Sequence, residues 1–321
     1  MALDPAQERP HTSDVPGFSD GVTFAFADPA ANVQGTVRLG VADGTASGLI
    51  FVFADGAPVI AQAEGAVALD PVPDDYADVR AAGIAQTTVT PLREWRLTVE
   101  STAGTLDLTF VADGPAFAIG PDHDAAERLG MEGYEQPCRV RGTVRLTPPD
   151  GAPRELRVDG LGGRGHQWGA PDWSRLTLSR TVQGWFGDVA FHVSSVRPAD
   201  ARSHADEVAW SQVARSPALV AGPEEDGEPG PETATAPEAV EAPEPRISTT
   251  TGHDGRHGLA TVELWESDEG PVWTATGEAI AGTTLSVGEM RLDMAFFRWR
   301  LQGLEGVGRY DILRKAAPPQ G

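Results

Sequence analysis

The sequence predicts an all-β protein assembled from many short strands. Three observations point that way. Gly and Pro are abundant, at 37 and 26 of 321 residues, while Met and Cys number only 4 and 1. Apolar residues alternate with polar ones in short runs, the period of a half-buried strand. Asp-Gly pairs and prolines separate those runs where turns belong.

Residues 1–17 are polar, carry three prolines and read as a tail. Strands then begin. Val22, Phe24 and Phe26 share one face. Val37 and Leu39 point inward from the run Gly35-Thr-Val-Arg-Leu39, and Asp43-Gly44 turns the chain. Leu49–Phe53 is apolar at every position, which suits a strand buried on both faces. Asp55-Gly56 turns again before Val59–Ala63, Trp95–Val99 and Leu106–Val111. Asp122–Gly130 is the one helix candidate. Asp122 or Asp124 would cap it, and Gly130 would end it.

The second half restarts at Gly142-Thr-Val-Arg-Leu146, an identical copy of Gly35–Leu39, and Asp150-Gly151 repeats the turn. Matching pentapeptides with matching turns suggest a duplicated β unit. Further strands are expected at Leu176–Val182, Val189–Val196, Glu207–Val213, Leu259–Trp265, Val272–Ile280, Met290–Leu301 and Gly306–Leu313. Residues 221–245 hold eight acidic residues, no basic one and no aromatic, and read as a disordered loop. The expected units are therefore 18–120 and 134–315, with 221–245 as an acidic insertion.

Composition narrows the functions. A net charge of −22 argues against nucleic acid and anionic membrane surfaces. No apolar run approaches the ~18 residues of a membrane span. The first ten residues lack the apolar core and basic lead of a secretory leader, so a soluble, cytoplasmic protein is expected. Cys138 stands alone, so no internal disulfide can form, and its expected role is packing.

Chemistry concentrates in Gly160–Trp173, where five glycines, two tryptophans, Arg164, His166 and Asp172 fall within fourteen residues. Gly160-x-Gly162-x-x-Gly165 matches a dinucleotide fingerprint. That fingerprint needs a helix straight after it, and Gly169 and Pro171 forbid one, so the nucleotide reading is rejected. No G-x-S-x-G elbow and no P-loop is present. His253-Asp-Gly-Arg-His257 is a weak metal candidate, with a solvated turn as the plainer reading, and no metal site is assigned. Trp168, Trp173, Trp185 and Trp210 either fill a barrel core or line an apolar cavity, with Arg164, His166, Asp172 and His192 as the polar groups of such a pocket. His192 falls on the strand face opposite Phe191 and fits a structural histidine better than a catalytic one.

Arg164-Gly-His166-Gln-Trp168-Gly169 with Asp172-Trp173 resembles an Arg-Asp-His-Ser-Trp-Gly-x-x-x-Trp motif. Glu135-Gln-Pro, Gly142-Thr-Val and Gly306-x-Gly308-x-x-Asp311 add to the likeness. The motif marks lipocalin-like proteins related to carotenoid 1,2-hydratase, kievitone-hydratase-like proteins and Diels–Alderase-like barrels. The resemblance implies two tandem lipocalin-like β-barrels or sandwiches around an apolar pocket. It also implies cofactor-independent chemistry on isoprenoid, steroid-like or polyketide-like substrates. A carboxylic acid protonates an alkene, and aromatic faces stabilise the cation. The sequence departs from the motif where it matters, with Gly165 in place of Asp and Gln167 in place of Ser. Asp172 and Asp188 are the replacement acids considered beside His166. The expectation is a binder of an elongated apolar metabolite in a Trp-rich pocket, catalysing its hydration, isomerisation or cyclisation if it is an enzyme. The alternatives are a non-catalytic carrier and a structural tandem barrel without ligand.

Overall fold

A computed structural model describes residues 3–69, 76–148, 151–203, 206–215, 239–242, 245–265 and 272–316. The all-β expectation holds, and the strands form two curled, nearly closed sheets. The first sheet holds β1 (Ser19–Asp28), β2 (Val33–Ala42), β3 (Thr45–Ala54), β4 (Ala57–Ala68), β5 (Asp78–Ala81), β6 (Ile84–Thr90), β7 (Glu94–Ser101), β8 (Gly104–Ala112), β9 (Phe117–Ile119), β10 (Met131–Leu146) and β11 (Arg154–Gly169). Its order is β4-β3-β2-β1-β11-β10-β8-β7-β6-β5, with β9 alongside β10. A Cβ added to Gly48 of β3 would stand 2.5 Å from the Ala82 side chain, so the two ends of the sheet almost meet.

The second sheet holds β12 (Leu176–Trp185), β13 (Val189–Pro198), β14 (Val208–Arg215), β15 (Ala239–Ala242), β16 (Arg246–Thr251), β17 (His257–Trp265), β18 (Val272–Val287), β19 (Met290–Leu301) and β20 (Leu304–Lys315). Its order is β15-β14-β13-β12-β20-β19-β18-β17-β16. The chain changes sheet between Gly169 and Leu176, whereas the sequence reading placed the boundary near residues 120–134. Both copies of Gly-Thr-Val-Arg-Leu lie in the first sheet, on β2 and β10, so the repeat does not mark the two barrels. The long strand pair β10–β11 belongs to the first barrel because it fills the gap between β1 and β8.

Strand alternation builds three apolar clusters. Val22, Phe24 and Phe26 enter the first barrel with Val37, Ile50, Trp95, Leu108 and Val140. Val182, Phe191, Phe297, Trp299 and Tyr310 fill the second. The third cluster joins the barrels, with Ala25, Phe51 and Phe53 meeting Trp185, Trp210, Met294 and Phe296. Leu49–Phe53 thus serves two cores, as its unbroken apolar run requires.

The helix α1 (Asp124–Leu129) ends as expected at Gly130, whose φ of 69° is left-handed. Its N-cap is His123, with no side-chain capping bond, and Asp124 is the first helical residue. Ala239–Ala242, inside the segment read as disordered, pairs with Ser211–Ala214 as an edge strand. Residues 221–238 and 243–244 lie outside the described residues. No helix among the described residues is long and apolar enough to cross a membrane.

Candidate functional site

The glycine-rich stretch lies within β11, a continuous strand with no helix after it, as the rejection of the nucleotide motif requires. Alternation divides its side chains. Arg164, His166 and Trp168 turn toward the first barrel, while Gly163, Gly165 and Gln167 face the second.

Arg164 is fully buried. Its Nη2 donates to Glu8 Oε2 at 2.8 Å, Nη1 donates to the Tyr134 hydroxyl, and the guanidinium lies 5.2 Å from the Trp95 ring centroid. Glu8 also accepts from the Leu92 backbone N–H at 3.1 Å and from Trp95 Nε1 at 3.4 Å. A buried guanidinium needs such partners, because an uncompensated buried charge is costly. Glu8 sits in a 3₁₀ turn, Pro5–Glu8, capped by Asp4. The stretch read as a tail is therefore a plug over the barrel end. Its proline pre-sets the first turn, and its glutamate meets a charge 156 residues away.

His166 is equally buried. Nδ1 lies 2.9 Å from the Gln7 carbonyl oxygen, and Nε2 lies 2.9 Å from both Asp20 oxygens. Tyr76 donates to Asp20 Oδ1 at 2.5 Å, and the His11 backbone N–H donates to Oδ2 at 2.9 Å. Burial opposes the charge on Asp20, but the bonds from His11, His166 and Tyr76 outweigh it and hold the carboxyl well below its usual range. Burial pulls the His166 imidazole down, against the pull of Asp20. The rings of His11, Tyr76, Tyr134 and Trp168 surround His166 at centroid distances of 5.1–5.9 Å. The expected oily hollow beside His166 is instead a packed, hydrogen-bonded end of the barrel. Trp168 covers it, stacked on His11 at 3.6 Å.

Among the described residues, His11, Asp20 and His166 are the one group whose ligand atoms lie close enough for a shared metal. Donors around one tetrahedral zinc stand about 3.3 Å apart, given bonds near 2 Å. The 2.9 Å separations between His166 and Asp20 are those of a hydrogen bond. His257 of the weaker candidate is buried and bonded to the Tyr310 carbonyl oxygen at 2.8 Å, while His253 is exposed.

The other face of β11 is nearly bare. The Trp185 ring packs 3.3 Å from where a Gly163 Cβ would stand. Glu135, directly opposite Gly165 across the β10–β11 pair, lays its carboxylate over that glycine, where any Cβ at 165 would collide with it. Gln167 Nε2 donates to Glu135 Oε1 at 3.2 Å. Burial pushes the Glu135 carboxyl up to about 7, against the pull of Arg309, a hydrogen bond from Gln183, and Arg164 and Arg38. This carboxyl lies between the barrels.

Around it the two sheets turn polar groups toward each other. Among the described residues, seven buried side-chain atoms there have no hydrogen-bond partner: Gln34 Oε1, Thr36 Oγ1, His192 Nδ1, Trp210 Nε1, Gln212 Oε1, Arg309 Nε and Asp311 Oδ1. Alternation sets all seven on the inter-barrel faces, since Val33, Val37, Phe191, Val213, Tyr310 and Ile312 take the barrel interiors. Orphaned buried polar atoms are individually costly, so those on this face call for partners such as ordered water or the few polar groups of a bound molecule. His192 does lie opposite Phe191, beside Trp210 at 5.4 Å. Its Nε2 meets Ser194 Oγ at 2.9 Å, and burial pushes it down to about 3, so it stays neutral.

The structure thus splits the expected site residues into three places. Arg164, His166 and Trp168 close the first barrel. Trp185, His192 and Trp210 face the inter-barrel space. Asp172, Trp173 and Asp188 join neither group. Asp172 is exposed and accepts from the Ser174 hydroxyl at 2.5 Å and from the Ser174 N–H at 3.0 Å, capping the turn Trp173–Arg175, and these bonds lower its carboxyl. Trp173 is half-buried in that turn, and Asp188 is exposed between β12 and β13. Sequence reasoning missed Glu8, Asp20, Tyr76 and Tyr134, which carry no local motif. It also gave no role to Glu135, although that residue opens one of the family-like segments.

The chain belongs to the family DUF7064, a domain of unknown function, whose model matches residues 4–316. No curated protein matches the chain. Its fold is shared with a Nitrosomonas europaea protein assigned as an AttH, at TM-score 0.64 and 12% identity over 98% of this chain and 96% of that one. It is shared with CghA at TM-score 0.62 and 12% identity, over 95% and 90%. Kievitone hydratase from Nectria haematococca matches at TM-score 0.57 and 11% identity, over 98% and 93%. The tandem lipocalin-like architecture implied by the motif is therefore the architecture observed.

Proposed function

We propose that the chain binds an elongated apolar metabolite between its two barrels and that Glu135 is the proton donor for its cofactor-independent hydration, isomerisation or cyclisation. One observation carries this reading: a carboxyl that burial pushes up to about 7, and that therefore keeps about half its protons near neutrality, lies on a glycine floor between the barrels, among orphaned polar atoms and aromatic rings. A buried acid tuned toward the working pH is suited to general acid catalysis. The Glu135 O–H bond breaks as the proton passes to one alkene carbon, and positive charge develops on its neighbour. Trp185, Trp210 and Phe117, which form one cluster at this interface, present faces suited to that charge. Water or an internal nucleophile then adds, or a neighbouring proton leaves, and one proton returns to the carboxylate. Arg164 and His166 act as positioning residues that fix β11. That kievitone hydratase shares the fold is compatible with this chemistry.

A carrier without chemistry is the second reading, and the hydrogen-bonded state of His166 favours it, since both of its ring nitrogens are already engaged, with the Gln7 carbonyl and with Asp20. Titration with isoprenoids, sterols and fatty acids while following tryptophan emission tests binding. No response to any of them counts against both readings. Incubating alkene ligands in heavy-oxygen water then separates the two. Label uptake that disappears in Glu135→Gln and persists in Glu135→Asp supports the acid, whereas uptake unchanged in Glu135→Gln removes it from the mechanism.

A further inference from the structure

One row of residues crosses the first sheet on the face turned toward the second barrel. The register β2–β1–β11–β10–β9 sets Arg38 beside Thr23, Thr23 beside Gly165, Gly165 beside Glu135 and Glu135 beside Phe117. Thr23 and Gly165 are small, so the two long side chains lean inward over them. Arg38 Nη1 donates to Thr23 Oγ1 at 3.2 Å, and the Glu135 carboxylate covers Gly165. Guanidinium and carboxyl therefore stand over neighbouring strands, about 5 Å apart in a sheet. Phe117 ends the row, its ring centroid 6.2 Å from that of His192 in the second barrel.

The second barrel sets a matching row against it. The register β13–β12–β20 places His192 beside Gln183 and Gln183 beside Arg309. Arg309 pairs with Asp311, yet Arg309 Nε and Asp311 Oδ1 lack hydrogen-bond partners among the described residues. Thr23 is the one hydrogen-bond partner of Arg38 among those residues, and a hydroxyl brings no charge. Asp20 lies on the far side of β1, engaged by His11, Tyr76 and His166. Burial and then the charge of Arg309 lower the Arg38 guanidinium, against the pull of Asp20, Tyr76 and Glu135. Like charges brought together at a poorly screened face repel, and an anion between them removes that cost. Both guanidinia stay within reach of a ligand, since Arg38 is half-buried and the Arg309 side chain is 17% exposed.

We propose that the ligand of the inter-barrel site is an apolar carboxylic acid, its carboxylate held by Arg38 and Arg309 and its chain running past Glu135 toward Phe117 and Trp185. The proposal rests on the inter-barrel reading above and adds the head group. Guanidinia match the two carboxylate oxygens with paired N–H donors. An anchored head fixes which double bond meets Glu135, which stands between the guanidinia and the aromatic rings. A bound carboxylate also offsets the positive charges that pull the proton from Glu135, and so helps to keep that acid protonated.

Matched ligands test it: farnesoate with farnesol, retinoate with retinol and oleate with oleyl alcohol, together with the methyl ester of each acid. Binding to the full chain is followed by tryptophan emission. At least one acid binds roughly tenfold or more tightly than its ester and its alcohol, the effect of charge-assisted hydrogen bonds. Arg38→Gln removes that preference and leaves the alcohol unchanged, while Arg96→Gln, on an exposed first-barrel ion pair, keeps it. Should Arg38→Gln not fold, Arg38→Lys keeps the charge without the fork and weakens the acid by less, in the same direction. No binding by any acid, ester or alcohol overturns the inter-barrel reading and this inference with it. Acids that bind no tighter than their esters or alcohols overturn this inference alone. A preference for the acid that is indifferent to the Arg38 substitutions overturns it too.

Discussion

Replacing Glu135 by Gln gives a stability effect whose size and pH range follow from its surroundings. In the unfolded chain the carboxyl titrates near its ordinary value of 4.5, and in the folded chain burial moves it to about 7. Between those values the folded state holds the proton and the unfolded state has lost it, so stability falls as pH rises through this window. At about 1.4 kcal/mol per unit, the full penalty above the window is about 3 kcal/mol, and most of it develops between about pH 5 and about pH 8. Glutamine fills nearly the same space with no charge to desolvate. The gap between variant and parent should therefore shift in the variant's favour by roughly 2–3 kcal/mol from about pH 5 to about pH 8. Urea denaturation of both proteins at the two pH values measures it. Comparing differences cancels any fixed change in hydrogen bonding to Gln167 or Gln183. A gap that stays constant, or that grows in the parent's favour, refutes the protonated buried acid and with it the proposed donor.

Other perturbations address the neighbouring contacts. Gly165→Ala should destabilise by about 1–3 kcal/mol through collision with the Glu135 carboxylate. The loss should shrink in a Glu135→Ala background, and a denaturation cycle showing additive effects would contradict the contact. Asp20→Asn removes the charge facing His166 and disturbs the acceptor of Tyr76 and His11, and should cost about 3 kcal/mol by thermal or chemical unfolding. Deleting residues 1–12 leaves Arg164 without Glu8 and His166 without the Gln7 carbonyl. It should cost about 3–5 kcal/mol and shift tryptophan emission to the red as Trp95 and Trp168 meet water. Unchanged emission and stability would show that the N-terminal turn is not a plug.

The architecture was legible because alternation and turn chemistry are local signals. Val22, Phe24 and Phe26 announced their own face, and the doubly apolar Leu49–Phe53 announced two. The sheet boundary was not legible, because it depends on which strands pair at a distance. Nothing in residues 131–169 says that they insert between β1 and β8. The repeat Gly-Thr-Val-Arg-Leu pointed toward a restart, yet both copies joined one sheet. At the site, β11 named Arg164, His166 and Trp168 by its composition. Their partners Glu8, Asp20, Tyr76 and Tyr134 come from segments far away in the chain and looked ordinary there. The carboxylate missing at Gly165 was sought nearby, at Asp172 and Asp188. A carboxylate does stand over Gly165, held there across the ladder by Glu135, a neighbour in space that linear spacing cannot reveal.

The pairing of Ser19 with Gly169 bears on how the chain reaches its native state. During synthesis the first eight strands emerge long before their closing partner, and β12 likewise waits for β20, where Leu178 meets Arg314. Each barrel is sealed by the last strand made, so closure depends on contacts of long sequence separation, the slow kind. Until then open edges could join those of another nascent chain. The large negative charge sets such half-made molecules apart by mutual repulsion, giving the acidic composition a role before any ligand is met.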